Sequence, residues 1–282
     1  MKILLVGGQS SLAQVLRPVL ASFAEVVTAG RSGCDVDLDL SWPAEKFCLP
    51  LGIDVVVNTA AHFGGQNFDA ILAAEEVNVL GTLKLAHACI RAKVGQLVHV
   101  SSIFAGLSEA SLFYNSYTLS KCHAEELARL YCHSVGLALA ILRPAQLYGE
   151  GESFRTHQPF LYTLLDQAQR GEDIVLYGSN DAWRNFIHVA DVAEIIARVV
   201  HQRIEGRYDC VSQSNIRVSE IATAAINAFT STSEIRFDTT KPNILDNAFV
   251  ADESFYRLID YFPQISLAQG LTRVATHRKT LP

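Results

Sequence analysis

The stretch Tyr117-Thr-Leu-Ser-Lys121 places a phenol and an ammonium four residues apart. On a helix that spacing sets both groups on one face, so they can point into the same cleft. A free phenol titrates near ~10, and a neighbouring cation favours its ionised form. The pair therefore suits proton transfer by a general acid or base. Upstream, Val98-His-Val-Ser101-Ser102 offers hydroxyls that can steady an oxygen as it gains or loses that proton. The spacing alone is common and also describes an ordinary surface helix. Its position in the chain gives it weight.

That position is set by alternating apolar runs and amphipathic stretches. Strands are predicted at 3–6, 25–29, 35–38, 55–58, 97–101 and 138–142, with helices at 11–23, 68–92 and 116–134. The strands are mostly continuous β-branched or leucine-rich runs, as expected where a sheet is covered on both faces. Strand-helix alternation of this kind predicts an α/β fold, a doubly wound parallel sheet of the Rossmann type. Beyond about residue 149 the pattern is less regular, with short strands at 174–177 and 185–188 among helices at 159–170, 189–200 and 218–229. Residues 1–150 are thus expected to form a dinucleotide-binding domain and 151–282 a smaller α/β substrate-binding portion. Some segments, around 174–200, are expected to pack back on the first domain. Ser101 and Ser102 end the fifth strand of this scheme, and ligands bind at the C-terminal ends of strands in such sheets.

Between the first strand and first helix runs Gly7-Gly8-Gln9-Ser10-Ser11-Leu12-Ala13. A dinucleotide's pyrophosphate is received in that context, against helix N-terminal amides. As a G-x-x-G-x-x-G loop, it keeps Gly7 but has Ser10 and Ala13 at the later glycine positions. Ala13 still permits close helix packing, whereas Ser10 puts a side chain where the backbone should approach phosphate. After the second strand comes Gly30-Arg31-Ser32. An acidic residue there would hold the adenosine ribose, while an arginine accommodates a 2′-phosphate, so Arg31 favours NADP over NAD. Asp39 and Leu40 follow the next strand as candidates for the adenine side.

Composition narrows the class further. Hydrophobic residues make up 49% of the 282, enough for a substantial core, and 23 basic against 29 acidic residues argue against a nucleic-acid surface. Six cysteines are scattered without C-x-x-C or metal-ligand spacing, which fits free thiols in a reducing compartment. No apolar run reaches the roughly 18–20 residues of a membrane span. The chain opens directly on a strand rather than a signal peptide, so a soluble cytoplasmic protein is expected.

Four further stretches complete a pattern: Asn58-Thr-Ala60-Ala61-His62, Asn78-Val-Leu-Gly81-Thr82, Leu142-Arg143-Pro144-Ala-Gln146-Leu-Tyr148-Gly149 and Arg184-Asn-Phe-Ile-His188-Val-Ala-Asp191. Together with the glycine turn and Tyr117–Lys121, in this order, they make the chain resemble the NAD-dependent epimerase/dehydratase family. These are the extended short-chain dehydrogenases/reductases that process nucleotide sugars. The likeness runs to about residue 210. It implies that Ala60, Ala61 and Pro144 line the nicotinamide side of the cofactor and that Asn78 braces the strands beside it. It further implies that Ser102, or Ser101 (the segment down to Gly106 looks one residue short), binds the substrate oxygen. Tyr117 would carry the proton. Lys121 would lower its pKa and hold the nicotinamide ribose. Arg184 would face the substrate's diphosphate, and Gln146 stands where several members carry asparagine near the sugar phosphate.

The family's 4,6-dehydratases carry an Asp-Glu pair directly after the active-site serine or threonine. Here Ile103 and Phe104 follow Ser102, which disfavours dehydration. Two reactions remain: NADPH-dependent reduction of a 4-keto-sugar, favoured by Arg31, and NAD-dependent epimerisation. A catalytically silent NADP-sensing regulator is the alternative from another class, though such proteins usually lose the tyrosine or lysine. The resemblance also implies a homodimer through the helices that include the Tyr117 helix. His62, His123 and His188 lack metal spacing, and no metal is expected.

Overall fold

The computed structural model describes residues 1–107, 111 and 113–280. In chain order the first elements are β1 (Lys2–Val6), α1 (Ser11–Ala21), β2 (Glu25–Gly30), β3 (Val36–Asp37), β4 (Val55–Asn58), α2 (Phe68–Ala74), α3 (Gly81–Arg91), β5 (Gln96–Val100), α4 (Ser116–Val135) and β6 (Ala138–Pro144). There follow β7 (Gln146–Tyr148), α5 (Pro159–Arg170), β8 (Ile174–Tyr177), β9 (Trp183–Arg184), β10 (Phe186–His188), α6 (Val189–Gln202) and β11 (Gly206–Cys210). The last are β12 (Ile216–Arg217), α7 (Val218–Phe229), β13 (Ile235–Asp238), α8 (Glu253–Leu258) and α9 (Leu267–Thr280).

The chain divides into two compact units. One comprises Met1–Pro144, Ala193–Cys210 and Ser254–Tyr261; the other comprises Ala145–Val192, Val211–Glu253 and Phe262–Pro282. The first carries a seven-stranded sheet in the order β11-β6-β5-β4-β1-β2-β3, every neighbouring pair parallel. This is the doubly wound fold anticipated above. Strand order reverses between β1 and β4, and such a reversal opens a crevice beyond the strands' C-terminal ends. Every residue of β4 and β5 is buried, and only Lys2 of β1 is not, as continuous apolar runs in a two-sided sheet require.

Local chemistry fixes the elements that reach the crevice. Ser10 caps α1, its hydroxyl accepting from the Ala13 amide at 3.1 Å. Asn115 does the same for α4 through Thr118, and Gly136, at φ +70°, ends that helix in the left-handed region. The single helix predicted over 68–92 is instead interrupted: residues 75–80 form a π turn between α2 and α3. That widened turn carries Asn78.

The second unit contains three two-stranded pairings, β7 with β10, β9 with β12, and β8 with β13. Its elements place Gln146 on β7 and Arg184 on β9. Among the described residues no helix is long and apolar enough to cross a membrane.

Candidate active site

Three segments converge on the crevice of the first unit. Gly7 leaves β1 at φ +79°, and a Cβ there would come within 2.7 Å of the Ala60 amide nitrogen, so the turn can pass this close to the β4 end only as glycine. Its amide and that of Gly8 both donate to the Ala29 carbonyl, at 2.8 and 3.1 Å. Asn58 shapes the neighbouring turn, accepting from the Ala60 amide at 3.1 Å. The resulting groove has a volume of about 310 Å³. Gly7, Ser10, Arg31, Asp39, Leu40, Ala60 and Ala61 line it, together with Gln9, Ser32, His62 and others.

These residues fit a dinucleotide. The glycine turn exposes backbone beside a helix N-terminus, which suits a pyrophosphate. Arg31 and Ser32 follow at the end of β2, and Asp39 and Leu40 flank the far side. Ser10 does not obstruct the turn as its sequence position suggested. Its hydroxyl is occupied with the Ala13 amide and with Thr59 Oγ1 at 3.0 Å. Ser11 and Leu12 form the first turn of α1, with Leu12 buried. Asp39 accepts from the Ser41 amide and hydroxyl, at 2.9 and 2.8 Å, which fixes its carboxylate locally.

Tyr117 and Lys121 lie on α4, the ammonium 6.0 Å from the phenol ring centroid. Phe63 stacks on Tyr117 at 5.3 Å and 19°. Burial pushes the phenol up to about 12, and the Ser102 hydroxyl pulls in the opposite direction. Lys121 was expected to lower the phenol. Its Nζ donates to the Val100 carbonyl at 2.9 Å, and the largest influence on the phenol is burial. Burial also brings Lys121 down to about 8, with the Glu125 charge opposing.

The two serines separate by partner. Ser101 Oγ donates to Glu125 at 2.5 Å, and Glu125 in turn accepts from Arg143 Nε at 2.8 Å and Nη2 at 2.6 Å. Ser102 Oγ accepts from the Phe104 amide at 3.3 Å, and its hydroxyl acts to lower the Tyr117 phenol. Asn78 ties the turn after β4 to α4. Its Oδ1 accepts from the His62 amide, and its Nδ2 donates to the His62 carbonyl and to Ser120 Oγ, all at 2.8 Å. Pro144 ends β6 buried beside this layer. Sequence reasoning missed Thr59, Gln9 and Glu125. Glu125 carried the clearest signal, since it stands four residues beyond Lys121 on the same helical face.

In the second unit, Arg184 is 7% exposed, and its Nη1 donates to the carbonyls of Trp183 and Leu245. Among the described residues no carboxylate lies within ion-pair distance of it. Desolvation lowers its pKa, with Asp246 opposing. A buried guanidinium satisfied only by carbonyls is a receptive place for an anion. Gln146 Nε2 donates to Gln158 Oε1 at 3.2 Å, and Gln146 Oε1 accepts from Asn247 Nδ2 at 3.0 Å.

The chain and its fold are similar to those of known proteins. The chain is 28% identical over 249 residues to a dTDP-4-dehydro-6-deoxy-D-allose reductase of Streptomyces sp., covering 82% of this chain and 76% of that one. Its fold is similar to that of UDP-N-acetylglucosamine 4-epimerase from Bacillus cereus, with a TM-score of 0.81 at 24% identity over 98% of both chains. It is also similar in fold to RMD from Pseudomonas aeruginosa complexed with NADPH, at a TM-score of 0.79 and 19% identity over 98% of this chain and 96% of that one. Residues 4–210 match the model of the NAD dependent epimerase/dehydratase family. The protein therefore belongs to that family, the extended short-chain NAD(P)-dependent epimerases and reductases.

Proposed function

We propose that the protein is an NADPH-dependent reductase of a nucleotide-linked 4-keto-sugar, with Tyr117 as proton donor. The observation that carries the choice of NADPH is Arg31, which with Ser32 lines the groove just beyond β2, where an acidic residue would favour NAD. The one acidic residue between Arg31 and β3 supports the same choice, because Asp35 is tied to the amide and the hydroxyl of Thr28. The reductase named among the relatives is consistent with it.

The dinucleotide, when bound, supplies a hydride to a carbonyl carbon. The chain's own residues then act on the oxygen. The Ser102 hydroxyl acts on the Tyr117 phenol, and both are assigned to hold one carbonyl oxygen. A phenol near 12 is fully protonated at neutral pH and can donate to an oxygen that becomes strongly basic as the carbonyl is reduced. Lys121, buried beside it, supplies positive charge that stabilises the phenolate left behind. Ser101, engaged with Glu125, anchors the strand end rather than the substrate. Arg184 and Gln146 are assigned to the substrate's diphosphate and sugar side, supported by the buried guanidinium without a carboxylate partner.

Cofactor titration tests the assignment. NADPH should bind more tightly than NADH, and Arg31→Ala should remove a difference on the order of 10- to 100-fold, as expected for a charge-assisted contact. Equal affinity for the two cofactors in the unaltered protein would defeat it, and NAD released on denaturation would favour an epimerase. A homodimer through the helices that include α4 belongs to the same proposal. Leu130, 69% exposed on α4, supports it. Light scattering should return a dimer mass; a monomer at micromolar concentration would refute this part.

A further inference from the structure

We propose that Gln9 determines cofactor specificity without meeting the distinguishing phosphate itself, by latching the Arg31–Ser32 link to the glycine turn. The inference rests on the assignment of Arg31 to the 2′-phosphate. The link between β2 and β3 is tied at its base: Asp35 accepts from the Thr28 amide and hydroxyl at 2.8 and 2.7 Å, and the Asp35 amide donates back to Thr28 Oγ1 at 3.1 Å. Among the described residues its tip is tied by the Gln9 side chain. Gln9 Nε2 donates to the carbonyl of Gly33, which turns at φ +63° with the Gln9 amide directly beside it.

Arg31 and Ser32 lie between these ties. Arg31 is exposed, and among the described residues its guanidinium makes no ion pair or hydrogen bond. Where it points therefore depends on the backbone of the link. Gln9 sits on the turn after β1, whose own backbone is held independently by the amides of Gly7 and Gly8 on Ala29. Removing the Gln9 amide thus frees the tip of the link and leaves the glycine turn in place. NADPH and NADH differ only in the 2′-phosphate, so a loosened link weakens one and spares the other.

The test measures dissociation constants of NADPH and NADH for the full chain, Gln9→Leu and Arg31→Ala, with amide hydrogen exchange over residues 31–34. Leucine keeps bulk and removes the donor. Loss of one hydrogen bond predicts that Gln9→Leu weakens NADPH about 3- to 10-fold while NADH stays within about twofold. Binding of 2′-AMP should weaken in parallel with NADPH, binding of 5′-AMP should not, and exchange at 31–34 should quicken. A purely structural role for Gln9 would weaken both cofactors alike. That result, or unchanged selectivity where Arg31→Ala does abolish it, overturns the proposal. If Arg31→Ala itself leaves selectivity intact, the assignment of Arg31 fails first and the role of Gln9 falls with it.

Discussion

Replacing Tyr117 with phenylalanine should lower kcat by about 100- to 10,000-fold while leaving NADPH affinity and the fold nearly unchanged. Phenylalanine preserves the ring that stacks on Phe63 and removes only the hydroxyl. Ser102 keeps the hydrogen bond it accepts from the Phe104 amide at 3.3 Å. Only the hydroxyl is removed and the ring packing stays, so stability should move by no more than about 1 kcal/mol. Because the missing group acts on the developing oxyanion, the loss should appear in kcat rather than in KM. Near-normal turnover would remove the phenol from the mechanism.

Between pH 8 and 10 the unfolding free energy of the protein should climb relative to that of a Lys121→Met variant. Burial takes Lys121 from 10.5 down to about 8, against the pull of Glu125. Between those values the unfolded chain binds a proton that the folded chain does not, so unfolding free energy rises with pH. The slope is at most about 1.4 kcal/mol per pH unit. Below pH 8 both states are protonated, and the cost of holding a buried ammonium is present in full. Tyr117 acts in the opposite direction: its folded value near 12 lies above the unfolded 10, so it withdraws stability only above pH 10. Urea unfolding of both proteins at pH 7, 8, 9 and 10 gives the Lys121 contribution as the difference between them. The thiols of Cys89, Cys132 and Cys210, pushed up by burial and withdrawing stability from about pH 9, are common to both. Parallel profiles would show that its proton is not perturbed by burial. The same variant should lose most activity, which would make Lys121 a group held at a thermodynamic cost for its function.

The parallel sheet was legible because its central strands are uninterrupted apolar runs: Ile3 to Val6 and Val55 to Val57 cannot be half-exposed without leaving hydrocarbon in water. The edge strand β11 was not, since Gly206-Arg-Tyr-Asp-Cys210 is polar and short, as an exposed sheet edge tends to be. The π turn around Asn78 was hidden for a different reason. Periodicity registers a helix of 3.6 residues per turn, and a single wider turn leaves the apolar pattern on both sides intact. At the site, residue types identified Tyr117, Lys121 and the two serines. Only geometry could separate Ser101 from Ser102, because the distinction lies in Glu125 drawing one hydroxyl away. Geometry also turned Ser10 from an obstruction into a helix cap.

The claim that organises the rest is that this site reduces a nucleotide-linked keto-sugar at the expense of NADPH, with the proton coming from Tyr117. Its most direct measurement incubates the protein with NADPH and a panel of nucleotide-linked 4-keto-6-deoxysugars, following cofactor absorbance and sugar product together. The account predicts one NADPH consumed for each keto-sugar reduced, with Tyr117→Phe inactive on the same substrate. Interconversion of sugar epimers with no net NADPH consumption, or cofactor binding without turnover on any member of the panel, would contradict it.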